Sequence, residues 1–211
     1  MKVYDLGLYE LILGFFYFIV ILLFGSYIKS RNIKFDPKYK YFNIGIFFKL
    51  IGVLSFCLIY LYYYQGGDTI NYYKGAKSIS KLILHNPKGA ASILFSNVDY
   101  RSKYGLFNSE TGYPPVYMFK DPYTFFVSKL SSILCILSCY SFIVTSFLTS
   151  LFSYLGLWKL YSLFCDLYPK QMKSFAYLIL FLPSLVFWGG GIMKDSYVLG
   201  STCWITYNFY M

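Results

Sequence analysis

The feature that most constrains this chain is a set of apolar runs long enough to cross a lipid bilayer. Residues 8–28 and 43–63 are the clearest runs, and a membrane-spanning helix needs about 20 such residues. The chain is 57% hydrophobic and 13% charged, whereas soluble domains are about a quarter charged. Lipid is the solvent that accommodates so much apolar surface. We therefore predict an all-α fold: a polytopic transmembrane helical bundle with an extracytoplasmic loop that carries interfacial helices.

The basic residues between the runs predict the partner surface and the orientation. The formal net charge is +10, but the cations lie between apolar runs and not along a polar stripe, which favours lipid headgroups and loop topology over nucleic acid. The loop after the first run holds one acid and five bases: Asp36, Lys29, Arg31, Lys34, Lys38 and Lys40. The positive-inside rule places this loop in the cytoplasm and the N-terminus outside. The first run is therefore a retained span and not a cleaved signal.

The remaining runs predict one membrane domain with five crossings in all. The predicted spans are residues 8–28, 43–63, 142–164, 174–188 and 196–211, with residues 65–123 as the outer loop. Within that loop we expect a helix over residues 70–84 that ends at Asn86-Pro87. Lys49 lies within the second span, and we expect it to snorkel to the cytoplasmic surface. The tyrosines at the other end of this span, Tyr60 among them, are typical of an aromatic belt at the outer interface. The chain stops directly after its last apolar run, so we expect it to be the N-terminal part of a longer protein.

Residues 125–164 allow two interpretations, because they are apolar but too long for one span. One is an interfacial helix over residues 125–137 followed by a single crossing. The other is a tight hairpin of two short spans. The first is favoured because residues 125–137 are short for a crossing and include Lys129 and three serines.

Two short segments combine glycine with charge at the predicted outer face. Residues 66–69 read Gly-Gly-Asp-Thr, and residues 189–196 read Gly-Gly-Gly-Ile-Met-Lys-Asp-Ser. Ionisable residues at membrane depth are functional candidates: the Asp68 carboxylate can act as a general base or hold a divalent metal, and Lys194 can neutralise a phosphate. The structural alternatives are a helix cap with a turn at Asp68 and a local Lys194–Asp195 ion pair that opens a helix.

Other polar residues give weaker signals. Asp99, Arg101, Glu110 and Asp121 are loop candidates for substrate contact, and His85 is the single histidine. With one histidine and no Cys-x-x-Cys pair, a zinc site is not indicated. The segment Tyr-Pro-Pro-Val-Tyr at residues 113–117 is a candidate aromatic platform for a sugar, or simply a packed loop.

The layout resembles a known class of membrane enzymes. A span, an aspartate a few residues later and an outer loop with a surface helix resemble the GT-C class of glycosyltransferases, which use polyprenyl-phosphate-linked sugars. In that class an aspartate of the first outer loop is commonly the catalytic base, and Asp68 matches its position. Residues 182–196 are similar to a Pro-Ser, Phe-Trp, Lys-Asp-Ser pattern of bacterial membrane proteins grouped with glycosyltransferases or EpsG-type polysaccharide polymerases. The resemblance covers residues 43–211.

The resemblance implies a specific function. The chain would transfer sugar from a polyprenyl-phosphate-linked donor on the extracytoplasmic face of the bacterial inner membrane, in polysaccharide biosynthesis. Asp68 would be catalytic, Lys194, Asp195 and Tyr72 would bind substrate and phosphate, and a divalent cation is a candidate cofactor. The chain departs from the class in its extra first span and in Thr69, where a second acid is usual. The alternatives are a non-catalytic membrane subunit that binds a larger partner, and a transporter built on the glycine-broken helix.

Overall fold

The computed structural model describes residues 6–95 and 103–211, and within these ranges the regular structure is entirely helical. The α-helices are α1 (Leu8–Asn32), α2 (Phe42–Leu58), α3 (Asp68–His85), α4 (Pro87–Phe95), α5 (Pro122–Leu137), α6 (Phe142–Leu167), α7 (Met172–Phe175), α8 (Pro183–Trp188) and α9 (Lys194–Tyr210). Single turns of 3-10 or π-helix occupy Pro37–Tyr41, Ile59–Tyr63, Val116–Lys120, Pro169–Gln171 and Ala176–Leu180. The predicted all-α fold class is confirmed.

Three helices of the described chain are long and apolar enough to cross a bilayer. They are Leu8–Asn32, Pro37–Tyr63 and Phe142–Leu167, and they contain the first three predicted spans. They identify the chain as a membrane protein. The last two predicted spans fall on shorter elements, a broken segment that ends in α8 and the 17-residue α9. The total number of crossings stays a prediction.

Helices α1 and α6 run parallel, and polar contacts tie them together at both ends. At the start of α6, Glu10 of α1 accepts hydrogen bonds from the Ser141 hydroxyl at 2.5 Å and the Phe142 amide at 3.0 Å. Where α6 ends, Lys38 contacts Asp166 at 2.7 Å. These contacts define the two ends of the bundle, which we call the Glu10 end and the Lys38 end.

Glu10 has a structural explanation, although it is an acid in an apolar helix. Its carboxylate also accepts from the Ile143 amide at 3.3 Å, and the side chain is 5% exposed. The first amides of a helix have no partner within the helix, and a negative charge there is stabilised by the helix dipole. Glu10 therefore caps α6 from a neighbouring helix and fixes the register of α1 on α6.

Both ends of α5 lie at the Glu10 end of the bundle. At its C-terminus, the Leu137 carbonyl accepts a hydrogen bond from Tyr17 of α1 at 2.7 Å. Nearer its N-terminus, Ser128 donates to the Tyr72 carbonyl of α3 at 3.2 Å, and the adjacent Tyr73 donates to the Tyr140 carbonyl beside the start of α6. A helix that crossed the bundle would instead place one terminus at the Lys38 end.

Small residues let the main helix pairs pack closely. A Cβ on Gly75 of α3 would lie 2.6 Å from the Ser128 hydroxyl of α5, and Ser80 donates to the Ser132 carbonyl at 2.7 Å. A Cβ on Gly156 of α6 would lie 2.5 Å from the carbonyl oxygen of a glycine in α9. Helices in lipid associate through van der Waals packing and interhelical hydrogen bonds, for which small residues are suited. The α3–α5 pair and the α6–α9 pair flank the site described next.

Candidate functional site

A tight reversal after the second apolar helix places Asp68. Gln65 and Gly67 have positive φ angles of 50° and 108°, and the Gly66 amide donates to the Tyr60 carbonyl at 3.1 Å. A Cβ on Gly67 would lie 3.0 Å from the Tyr60 ring. Glycine meets both demands, since it has no side chain and tolerates positive φ. The chain thus folds back at once, and Asp68 begins α3 beside Tyr60. The predicted helix over residues 70–84 and its end at Asn86-Pro87 are confirmed.

The second glycine segment reaches the same face of α2. Gly191 has a φ of 83°, and a Cβ there would lie 2.3 Å from the Phe56 ring. Phe56 and Tyr60 are one helical turn apart, and their ring centroids are 4.5 Å apart. The two glycine segments, although far apart in sequence, therefore pack on one pair of aromatic rings.

Side chains satisfy the carbonyl groups of the broken helix. Lys49 donates to the Leu185 carbonyl at 2.8 Å, Ser153 to that of Gly189 at 2.7 Å and Ser196 to that of Gly191 at 2.9 Å. Irregular backbone at membrane depth persists only where protein or water satisfies it. Lys49 is 1% exposed, so our prediction that it snorkels to the surface is wrong. Its ammonium group instead bonds to the Leu185 carbonyl of the broken helix.

The structure brings Asp68, Tyr72, Lys194 and Asp195 into one region. Tyr60 interacts electrostatically with both Asp68 and Asp195, and Tyr72 interacts with these two carboxylates and with Asp121. The Nζ atom of Lys194 lies 3.5 Å from the Asp121 carboxylate. Tyr117 joins the group, because it interacts with both Asp68 and Lys194. We call these seven residues the polar cluster: Tyr60, Asp68, Tyr72, Tyr117, Asp121, Lys194 and Asp195.

Exposure divides the polar cluster into an accessible part and a supporting part. Asp68 and Asp195 are exposed, and Lys194 and Asp121 are partly exposed. Tyr72 is 3% exposed and lies behind them. The two carboxylates and the ammonium are thus each accessible to a ligand, and the phenol of Tyr72 is buried.

Charge and burial shift the ionisation of the outer groups. Burial raises the pKa of the Tyr72 phenol, and the charges of Asp68, Asp121 and Asp195 raise it further, against a hydrogen bond with Thr124. The Thr124 hydroxyl bond is the main cause that lowers the pKa of Asp121, and Lys194 contributes. Asp121 therefore stays ionised and holds the ammonium of Lys194, while Tyr72 stays a neutral hydrogen-bond donor.

The structure also decides between the local interpretations of the two segments. The positive φ angles of residues 65–67 and the bond from the Gly66 amide to the Tyr60 carbonyl form the cap and turn that the structural alternative described, and Asp68 then begins α3. Among the described residues, the ion-pair partner of Lys194 is Asp121 and not its neighbour Asp195. The sequence alternative of a local Lys194–Asp195 pair is therefore wrong. Asp195 lies in the first turn of α9, where the helix dipole favours an acid.

The candidate cofactor finds little support in the ligand geometry. No group of three His, Cys, Asp or Glu side chains within residues 6–95 and 103–211 is arranged to hold a metal ion. All five cysteines fall in these ranges and are free. The carboxylates of the polar cluster interact through their charges but do not converge as a ligand set.

The weaker sequence candidates have different outcomes. Asp99 and Arg101 lie outside the described residues. His85 and Glu110 form an exposed pair at 3.8 Å, apart from the polar cluster. Of the 113–117 segment, Tyr113 stacks on Tyr104 with ring centroids 5.3 Å apart, whereas Tyr117 joins the cluster.

Sequence reasoning misses three contributors to the site. Tyr60 fits the pattern of an aromatic belt at the membrane interface, but its ring packs on Gly67 and on Phe56, which in turn contacts Gly191. Thr124 could have been found from its local sequence, because Asp-Pro-Tyr-Thr at residues 121–124 is typical of a helix start with Asp121 as the N-cap. In the structure the Asp121 carboxylate accepts a hydrogen bond from the Tyr123 amide at 3.0 Å. Asn71, which hydrogen bonds with Tyr117, carries no signal that local sequence could reveal.

Comparison with protein-family models, curated proteins and solved structures found no match to this chain.

Proposed function

We propose that this chain is a GT-C-like membrane glycosyltransferase that moves a sugar from a polyprenyl-phosphate-linked donor to an acceptor hydroxyl. The observation that carries the proposal is the polar cluster, in which exposed Asp68 and Asp195 share one accessible region with Lys194. The charges of Lys194 and Asp68 suggest different roles for the two side chains. Lys194 binds the donor phosphate, and Asp68 accepts the proton of the acceptor hydroxyl as that oxygen attacks the anomeric carbon. The new glycosidic bond forms while the bond between the sugar and the phosphate oxygen breaks, and the polyprenyl phosphate leaves as an anion beside Lys194.

The surrounding residues suit a sugar substrate. The rings of Tyr60 and Tyr117 border the carboxylates, and aromatic faces with nearby hydrogen-bond donors are a suitable surface for a carbohydrate. The buried Tyr72 phenol, whose pKa is raised by burial, remains protonated, so its hydroxyl is a neutral group behind the carboxylates. Asp195 lies near Tyr60 and Tyr72 and orients the substrate.

The broken helix around residues 189–193 gives less support to a transporter. In transporters with broken helices, free backbone carbonyls coordinate the transported ion. Here the carbonyls of Leu185, Gly189 and Gly191 accept from protein side chains. A non-catalytic subunit has no specific contact in its favour among the described residues.

The proposed location is the extracytoplasmic face of the bacterial inner membrane, with the N-terminus outside and five crossings. The supporting observation is that the loops at the Lys38 end carry Lys29, Arg31, Lys34, Lys38, Lys40, Lys170 and Lys173. Basic loops stay in the cytoplasm, which puts the polar cluster outside. The placement of both α5 termini at the Glu10 end supports an interfacial helix over a hairpin.

A native cysteine tests this topology. Cys139, in the turn between α5 and α6, is the exposed one among the five cysteines, and the Tyr9 hydroxyl donates to its carbonyl at the Glu10 end. A membrane-impermeant maleimide should label wild-type protein on intact cells and should not label Cys139→Ser. Labelling that requires permeabilised cells would reverse the proposed orientation.

Substitution of Asp68 tests the activity. In membranes that contain the full chain, Asp68→Asn should reduce transfer of radiolabelled sugar from a polyprenyl-phosphate donor by about a hundredfold or more, the usual contribution of a general base. Glu110→Gln is the matched control, because it also neutralises an exposed acid of the 65–123 loop. If Asp68→Asn transferred sugar as well as wild type at equal expression, Asp68 would not be the general base.

A further inference from the structure

An apolar groove begins at Lys194 and runs between three helices. Its volume is about 640 Å³, within the range of small-molecule sites, about 300–1,000 Å³. Phe126, Leu130 and Ile133 of α5 form one wall, Phe152 of α6 forms the floor and Val198 of α9 forms part of the other wall. The groove is open along one side, so a chain can enter it sideways from the bilayer.

The charge in the groove is at one end. Among the described lining residues, Lys194 is the one with a charged side chain, at the N-terminus of α9. Its side chain is 43% exposed, and its ammonium lies 3.5 Å from the Asp121 carboxylate. A ligand that matches this surface has one anionic group and one hydrocarbon chain.

We propose that the groove holds the hydrocarbon chain of a lipid phosphate whose phosphate binds Lys194. The inference rests on the proposed function, which supplies the class of donor, and it deepens it by placing the chain between α5, α6 and α9. Lipid surrounds the groove, so selection comes from packing and from the ion pair and not from water exclusion. Tyr117, which interacts with both Lys194 and Asp68, then separates the phosphate site from the proposed base.

Two tryptophan substitutions on one helix test the groove. Val198 lines it and is 63% exposed, whereas Ile205, two turns later on the same helix, is 68% exposed and does not line it. An indole at position 198 would occupy the space proposed for the hydrocarbon chain of the lipid. The probe is a fluorescent farnesyl phosphate, titrated against the purified full chain in nanodiscs of phosphatidylcholine.

The expected result is selective loss of affinity. Val198→Trp should weaken farnesyl phosphate binding by about tenfold, the lower range for overpacking a fitted site, while Ile205→Trp should stay within about twofold. Lys194→Gln should also cost about tenfold, the value of one charge-assisted hydrogen bond, and should abolish the preference for farnesyl phosphate over farnesol. Leu130→Trp, on the opposite wall, repeats the steric test should Val198→Trp fail to fold.

Other occupants give different results and would overturn the inference. If Val198→Trp, Leu130→Trp and Ile205→Trp all bound farnesyl phosphate equally well, the hydrocarbon chain of the ligand would lie outside this groove. Displacement of the probe by inorganic phosphate alone would reduce the site to Lys194, and equally strong displacement by phosphatidic acid would indicate ordinary phospholipid. A change of oligomeric state in Val198→Trp would mark the groove as a helix-docking face.

Failure of the groove and failure of the proposed function are distinguishable. If binding did not depend on the hydrocarbon chain of the ligand but sugar transfer were normal, only the proposed groove site would be disproved. Persistent, Val198-dependent binding by a chain that transfers no sugar would remove the transferase proposal and leave a lipid-phosphate site.

Discussion

Two groups of charged side chains occupy this bundle, and their surroundings are opposite. Glu10 and Lys49 are 5% and 1% exposed, and each bonds to the ends or breaks of neighbouring helices. Asp68 and Asp195 are exposed, Lys194 is partly exposed, and these three interact with a shared set of tyrosines. The first group completes backbone hydrogen bonds, whereas the second leaves its charges accessible to a ligand.

The difference refines a general rule about membrane helices. An ionisable residue at membrane depth is a functional candidate by default. In this chain we expect the default to apply to the accessible charges of Asp68, Lys194 and Asp195, and not to Glu10 and Lys49, whose partners are amides or carbonyls that would otherwise be unsatisfied. Burial alone therefore does not identify the site.

The largest expected effect on stability is at Glu10. Glu10→Ala would leave the Ser141 hydroxyl and the Phe142 and Ile143 amides without this acceptor. At about 1–3 kcal/mol for each buried unsatisfied group, we expect a loss of about 4 kcal/mol. Thermal unfolding in detergent would measure it as a lower Tm.

Glu10→Gln is the control for charge at the same position. Its amide oxygen still accepts a hydrogen bond, so it should lose less stability than Glu10→Ala. Sugar transfer per folded molecule should be unchanged in both variants. A transfer defect in a well-folded Glu10→Gln protein would place Glu10 in the functional group and break the distinction.

The second effect is at Gly191, where the break meets α2. Gly191→Ala puts a Cβ 2.3 Å from the Phe56 ring at a φ of 83°. Left-handed backbone costs about 1–2 kcal/mol for a residue other than glycine, and overpacking adds about 1–3 kcal/mol, so we expect a loss of about 3 kcal/mol. Transfer should also fall, since α9 and Lys194 begin three residues later.

Gly7→Ala is the matched control for Gly191→Ala. No heavy atom lies within 4 Å of a Cβ at Gly7, so sugar transfer should match that of wild type. Because Gly7 is the N-cap of α1, its Tm should fall only by the cost of alanine at a cap, about 1 kcal/mol or less. The double variant Gly191→Ala/Phe56→Leu removes the ring and should recover part of the stability. No recovery would mean that the backbone angle alone, and not the packing on Phe56, requires glycine.

The sequence predicts the helices well because their causes are local. The all-α class, the three long apolar helices and the start of α5 near residue 125 follow from apolar length and from turn residues. Asp68, Lys194 and Asp195 are candidates because charge beside glycine at membrane depth is unusual. Periodicity and composition suffice for such features.

The remaining site depends on contacts that local sequence does not encode. The sequence predicts that Lys49 snorkels, but a carbonyl 136 residues away binds it. Asp121 resembles the other loop acids in sequence, and only the approach of α9 makes it the partner of Lys194. Tyr60 has the sequence context of an interfacial belt, and its role depends on the two glycine segments that pack on its side of α2. These roles arise from tertiary contacts between distant segments.

A smaller effect is expected at Lys49. Lys49→Met keeps the volume and removes a charge that has no ion-pair partner in the described chain. Replacing a buried charge by an apolar side chain is often neutral, and the lost bond to the Leu185 carbonyl costs about 1 kcal/mol. We therefore expect only this small change, with normal transfer. A large transfer defect with an unchanged Tm would assign Lys49 a functional role.

The smallest effect is the pH dependence that comes from Asp121. The pKa of this carboxyl lies below its ordinary 3.8 in the folded chain, chiefly through the Thr124 hydroxyl. A depressed pKa gives stability that is complete above the unfolded pKa and is lost as pH falls through the folded one. The Tm difference between wild type and Asp121→Asn should therefore be constant above about pH 5 and shrink below about pH 4.

Thr124→Val sharpens this last test, because it removes the main cause of the shift and keeps the side-chain volume. In that background the pKa of Asp121 should rise toward its ordinary value, so the Tm difference caused by Asp121→Asn should be smaller at neutral pH. The difference should begin to shrink at the same pH, which the unfolded chain sets, but should stop changing at a higher pH than in wild type. An unchanged profile would mean that Lys194, and not Thr124, controls Asp121. Asp121 would then belong to the ligand-binding charges alone, and lipid phosphate at Lys194 should itself alter the acid profile.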